Sequence, residues 1–320
     1  MNAYIEIESL RSLISQRNDA RYDECLRMLK RNLILNFSFS KSEALADPSI
    51  QNWMKELTSG AIAPKPKWDS EYPDPSDELT LDNITIDKLC AVYLLDDEEP
   101  QRLASAMLVG YCGHELETLS QLFVLPETQE YSCRLNATKI NSWKNISSYS
   151  APCTDILISD RYILSNKSLL GRNLYQIINA VVRKTHNLPI NIVLFVERDS
   201  IGLDVDLEKV GETIKQNVEE IVGEEPNVTF VLCKQHRNPL FHDRLILTNY
   251  RAITSGDTFN YFNENGNIKT GGFGITIESL ADSCCYVQDT VIDTYCEQLK
   301  KDIPYAMVQG DKKSNFLSFF

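Results

Sequence analysis

His242, Arg244 and Asn249 are the residues whose types and spacing could do chemistry. They lie in the run Phe241-His242-Asp243-Arg244-Leu245-Ile246-Leu247-Thr248-Asn249, with Gly256 seven positions further on and Asp257 behind it. The apolar core of this run predicts a short β-strand. Side chains alternate across a strand, so His242 and Arg244 would project from the same face and Asp243 and Leu245 from the other. A phosphate above that edge could meet an imidazole and a guanidinium together. The planar fork of arginine suits it, because it can give two charge-assisted hydrogen bonds to phosphate oxygens. Gly256 would let the backbone turn close to such a ligand. Lys234, Arg237, Arg244 and Arg251 form a local basic cluster around the run. Two plainer readings stand beside this one: His242 as a strand-edge histidine bonded to Asn249 or Asp243, and the four cations as solvated charge.

The spacing His-x-Arg-x4-Asn with a later Gly resembles the signature of the phospholipase D superfamily, His-x-Lys-x4-Asp followed by Gly-Ser. Arg244, Asn249 and Asp257 stand where that signature has Lys, Asp and Ser. The resemblance implies a mixed α/β fold and metal-independent phosphodiester chemistry through a phosphohistidine. In it His242 would be the nucleophile, Arg244 the phosphate clamp and Asn249 a polar group ordering the site. It implies no cofactor. Members with two motifs are pseudo-dimers, and single-motif members pair as homodimers. Here only one motif is present; His114, His186 and His236 begin no second one. A second histidine could come from a homodimer or from His236 in the preceding turn. The His-Asp-Arg spelling is also similar to the C-terminal module of MIT-domain proteins of the ESCRT pathway, understood as a non-catalytic phospholipid binder. No MIT-type three-helix segment precedes it here.

Composition frames these readings. The chain has 320 residues, 43% hydrophobic and 24% charged, with a net charge of −13 and a pI near 4.9. Such a surface repels nucleic acid and anionic membranes at long range, so a phosphate site must be a local basic pocket. Nine scattered cysteines lack a Cys-x-x-Cys pair or zinc spacing. With no signal peptide or membrane-spanning run, they read as reduced, mostly buried thiols of a cytoplasmic protein. The plain style and single basic patch fit a bacterial defence or mobile locus. Asp96-Asp97-Glu98-Glu99 reads as solvated charge, and Gly271-Gly272-Phe273-Gly274 as a turn between strands.

The elements that must position the motif follow from periodicity. Tyr4 to Ile7 and Leu35 to Phe39 alternate like strands, and Leu26, Leu29 and Leu33 share a helical face. Asp47-Pro48-Ser49 opens a helix carrying Ile50, Trp53, Met54 and Leu57. Residues 61–83 read as a Pro-rich loop on which Trp68 is either core or a contact residue. Residues 84–124 carry a helical pattern broken at Gly110 and Gly113, and 125–152 look irregular. Then come a strand from Asp155, a helix capped by Ser168 (Leu170, Leu174, Ile177, Ile178, Val181, Val182), and a buried strand from Ile190 to Val196. A helix follows through Leu207, Val210, Ile214, Val218 and Ile221. Strands are expected at 228–233, 244–248, 250–254 and 274–278, with a last helix through Cys285, Ile292, Tyr295 and Leu299. This alternation predicts an α/β protein with a mixed sheet flanked by helices. The expected division is a mixed α/β N-terminal region at 1–150, a phospholipase D-like domain at 152–305 and a tail at 306–320. The expected function is a degenerate module recognising a phosphate-containing ligand or partner, without turnover. The alternatives are a metal-independent nuclease using His242 in a homodimer and a protein-interaction module.

Overall fold

The computed structural model describes residues 1–59, 65–71, 85–96, 110, 112–113, 116–123, 125, 132–136, 139–184, 188–234, 244–269, 274–282 and 291–319. They form an α/β protein of two compact units. One comprises Met1–Val124 with Leu280–Thr290, the other Leu125–Ser279 with Val291–Phe320.

The first unit is built on a three-stranded parallel sheet. Its strands are β1 (Asn2–Ile5), β2 (Ile34–Phe37) and β3 (Val92–Leu94), in the order β2-β1-β3. Parallel neighbours need a crossover, and α1 (Ile7–Ser15) and α2 (Tyr22–Arg31) supply it between β1 and β2. Short α3 (Lys41–Ala46) leads into α4 (Pro48–Thr58). The expected start of α4 is present: the Asp47 side chain accepts from the Ser49 and Ile50 backbone N–H groups, with Pro48 in the first turn. Ile50, Trp53 and Leu57 are buried. Trp68 packs on Phe37 and Phe39, with ring centroids 5.0 and 5.9 Å away. The rest of the Pro-rich loop lies outside the described residues, apart from 65–71.

Residues 84–124 differ from the helical expectation. Only α5 (Ile86–Leu89) and α6 (Leu116–Phe123) are helical, and Val92–Leu94 is a strand. The run Ala91 to Leu95 is buried at every position, so no polar face marks a helix, and Tyr93 instead stacks on Tyr4 at 5.3 Å.

The second unit holds an eight-stranded mixed sheet in the order β11-β7-β6-β5-β8-β9-β10-β4. The strands are β4 (Ser132–Asn136), β5 (Asp155–Ser159), β6 (Asn191–Glu197), β7 (Asn227–Cys233), β8 (Arg244–Leu247), β9 (Arg251–Ser255), β10 (Gly274–Ser279) and β11 (Met307–Gly310). β5, β6 and β7 are parallel, and the remaining pairings are antiparallel. Every residue of β5 and β6 is buried, as a strand covered on both faces requires. The crossovers are α7 (Lys167–Leu170) with α8 (Leu174–Val181), and α9 (Leu207–Val222). The last helix is α10 (Val291–Lys300). Gly223, with φ of 78°, ends α9 in the left-handed region where a side chain would be strained.

Four local expectations are corrected. The helix expected from Ser168 is two pieces, and Asn166 is its cap, accepting from the Ser168 N–H at 2.9 Å. Ile221 shares the spacing of the buried face of α9 but is 48% exposed near the helix end. The described residues of 125–152 include edge strand β4 and a 3-10 helix, Trp143–Tyr149, with Trp143, Ile146 and Tyr149 buried. The polar sequence concealed it because an edge strand exposes one face, as Arg134 and Asn136 do here. The C-terminal tail is structural: β11 pairs with β7, and Ser314 and Asn315 hydrogen-bond the buried Asp155 carboxylate.

Candidate functional site at the carboxyl edge of the large sheet

The parallel strands β5, β6 and β7 all end on one edge of the sheet. The antiparallel register sets the start of β8 and the end of β9 on the same edge, with Ser159 opposite Leu245 and Arg244 opposite Ser255. This carboxyl edge is where open α/β sheets present ligand-binding groups. Arg244 therefore sits at that edge, at the start of β8. Its Nη1 donates to the Gly256 carbonyl at 3.1 Å.

Beneath it lies Asp160, the first residue after β5, which is completely buried. Its carboxylate accepts from the Tyr162 N–H at 2.8 Å, from the Thr258 hydroxyl at 2.8 Å and from the Phe259 N–H at 2.6 Å. Burial raises the Asp160 carboxyl above its usual range, and these hydrogen bonds and the charge of Arg244 pull the other way. The turn after β9 is held by the same contacts. Ser255 Oγ donates to the Asp257 carbonyl at 2.7 Å, and Asn260 Nδ2 donates to the Tyr162 carbonyl at 2.6 Å. Next along the edge, Glu197 at the end of β6 is buried and pairs with Arg161, whose guanidinium stands 5.0 Å from the Tyr162 ring centre.

The structure distributes the expected site residues unevenly. Lys234 is exposed just past β7, at the same edge as Arg244. His242, His236 and Arg237 lie outside the described residues, as do His114, His186 and the glycines at 271 and 272. Asn249 is not at this edge. It follows β8 at the opposite end and is completely buried, its Oδ1 accepting from the Thr154 N–H at 2.8 Å and its Nδ2 donating to Thr154 Oγ1 at 3.1 Å. Five residues of strand separate the two positions, roughly 16 Å, so Asn249 orders the core and not a ligand.

Arg251 is likewise corrected from ligand group to structural group. It is 2% exposed and donates to the Tyr149 carbonyl at 3.0 Å and the Tyr250 carbonyl at 3.1 Å. Burial, with Arg183 nearby, pushes its pKa down to about 10. Gly256 is exposed, has no positive φ, and a Cβ there would meet nothing within 4 Å. No backbone constraint requires glycine at that position. Asp257 is exposed, and its carboxylate accepts from the Thr258 N–H.

Asp160, Arg161 and Glu197 are missing from the sequence-based site. A signal for them exists: Glu197 closes, and Asp160 with Arg161 directly follows, an apolar run that reads as a buried parallel strand. The seven described cysteines are buried and unbridged, and burial pushes the thiols of Cys25, Cys153, Cys233 and Cys296 up to about 12. Among the described residues no group of His, Cys, Asp and Glu is placed to hold a metal ion, and no helix is long and apolar enough to cross a membrane. No family model matches the chain, and no curated protein shows significant similarity to it.

Proposed function

We propose that the carboxyl edge of the large sheet recognises a phosphate-bearing ligand through Arg244, in a degenerate phospholipase D-like module that binds without turnover. The observation that supports this most is the placement of Arg244. A strand fixes its backbone at the ligand edge, the Gly256 carbonyl holds one nitrogen, and Asp160 fixes the adjoining turn from below. Lys234 adds an exposed cation at the same edge. Binding is favoured over turnover because Asn249, the group that would order a catalytic histidine, is committed to Thr154 at the far end of the strand. Exposed Asp257 also puts negative charge beside the turn, which limits affinity for a doubly charged phosphate.

The test has two arms. Single- and double-stranded DNA and RNA, and a generic phosphodiester, are incubated in EDTA with wild type and His242→Ala. Binding of a short fluorescent oligonucleotide and of inorganic phosphate is measured for wild type and Arg244→Ala. The expected result is no cleavage, and a loss of about tenfold or more in affinity on removing the charge-assisted bonds of Arg244. Cleavage that vanishes in His242→Ala would establish the nuclease reading. Equal affinity of the two proteins would remove Arg244 as the clamp.

A further inference from the structure

A second concentration of positive charge lies in the first unit, away from the motif in sequence. A cavity of about 580 Å³ is lined by Arg17, Tyr22, Arg27, Lys30 and Arg31, with Leu26, Asp23, Glu56 and Ser59 completing it. Four cations thus face two carboxylates, in a chain whose 45 acidic residues outnumber its 32 basic ones. Two of the cations are braced. Arg17 donates to Glu56 at 2.9 Å, and Lys30 donates to the Glu56 carbonyl at 3.2 Å and to Ser59. The other two are available. Arg27 has only a 3.6 Å approach to Glu24, and Arg31 is exposed with no ion pair or side-chain hydrogen bond among the described residues.

Cations in the last turn of a helix complement its dipole, and that accounts for Lys30 and Arg31 at the end of α2. It does not account for Arg27, one turn before Arg31 on the same face, where like charges four apart destabilise a helix. Nor does it account for Tyr22. That side chain is 4% exposed and its hydroxyl lacks a hydrogen-bond partner of good geometry. The guanidinium of Arg17 approaches it, and the carboxylates of Glu56 and Asp23 act on it through charge without hydrogen-bonding it. A guanidinium has no acceptor, so the phenolic proton needs an acceptor from elsewhere, and an unmade bond at a buried hydroxyl is costly.

We propose that this cavity binds a small molecule carrying two or more phosphates, whose oxygens take the Arg27 and Arg31 guanidiniums and the Tyr22 hydroxyl. Arginine forks match phosphate oxygens, and the volume lies within the range of small-molecule sites. Glu56 keeps Arg17 in place and, with Asp23, sets the net charge of the lining to a modest positive value, so that binding is reversible.

The experiment is calorimetric titration of the full chain with inorganic pyrophosphate and with a nucleoside diphosphate, ADP. Wild type is compared with Arg27→Gln/Arg31→Gln, Tyr22→Phe and Arg244→Gln, each checked for native circular dichroism. We expect wild type to bind. The double variant should lose about tenfold or more, as removal of charge-assisted bonds does. Tyr22→Phe should weaken binding several-fold without altering the fold, and the heat that the double variant loses should persist in Arg244→Gln, which removes only the contribution of the large-sheet edge. ADP binding more tightly than pyrophosphate would assign a contact to the nucleoside, and equal binding would assign recognition to the phosphates alone. No heat from either probe at millimolar concentration would overturn the proposal. So would equal binding by the double variant, or binding lost only in Arg244→Gln.

Discussion

The Asp160 carboxylate and the Phe259 backbone N–H meet at 2.6 Å, joining the end of β5 to the turn after β9 across 99 residues of chain. One buried carboxylate thereby fixes the segment that carries Gly256 and lies beside Arg244. Asp160→Asn replaces one acceptor oxygen by a donor that faces a backbone N–H. It is expected to cost about 1–3 kcal/mol in urea unfolding, the price of a buried unsatisfied donor. On the proposed function it also raises affinity for inorganic phosphate a few-fold, because a negative charge near Arg244 is removed. Stability and binding moving in opposite directions would separate a site-tuning role from a purely structural one.

Asn249 and Arg251 are expected to behave as core residues. Asn249→Ala leaves the Thr154 N–H without its acceptor, and Arg251→Ala removes a charged donor from the Tyr149 and Tyr250 carbonyls. Each change should destabilise by about 2–4 kcal/mol. Neither should alter phosphate affinity where the protein remains folded. A selective loss of binding in either variant would return that residue to the site.

Asp155 makes stability depend on pH in an uncommon direction. Burial raises its carboxyl above the ordinary 3.8, against the hydrogen bonds from Ser314 and Asn315. The folded state then holds the proton more tightly than the unfolded state. The corresponding stability is complete below 3.8 and is lost as pH rises through the folded value. Asp160 acts in the same sense. Urea midpoints measured from about pH 4 to pH 7 should show a falling component that Asp155→Asn flattens. An unchanged slope in the variant would show that this group does not carry it.

Asp47 has the opposite sign. Hydrogen bonds from Ser49, then Arg11, hold its carboxyl well below the usual range. Its stabilisation is present above 3.8 and fades as pH falls through the depressed folded value. Asp47→Ala should cost about 1 kcal/mol at neutral pH as a lost helix cap. The difference from wild type should shrink in strong acid. A difference independent of pH would mean that the charge contributes nothing.

The sequence by itself determined the α/β class, the mixed sheet, the cap of α4 and most strands of the large sheet. These rest on local pattern: alternation, continuous apolar runs and capping residues act over a few positions, so they are readable without neighbours. It also placed Arg244 at the start of a strand, which is where β8 begins. Tertiary structure alone decided which polar residues face a ligand edge and which fill the core. Asn249 and Arg251 look like site residues by spacing, but their partners are Thr154 and Tyr149, 95 and 102 positions away. Asp160 and Glu197 gain meaning only when parallel strands bring their ends to one edge. The strands β4 and β11 were hidden for a related reason. Both are edge strands of the large sheet, β4 with one face solvated and β11 with no buried residue, and their apolar pattern is too short to read until β10 and β7 supply the pairing.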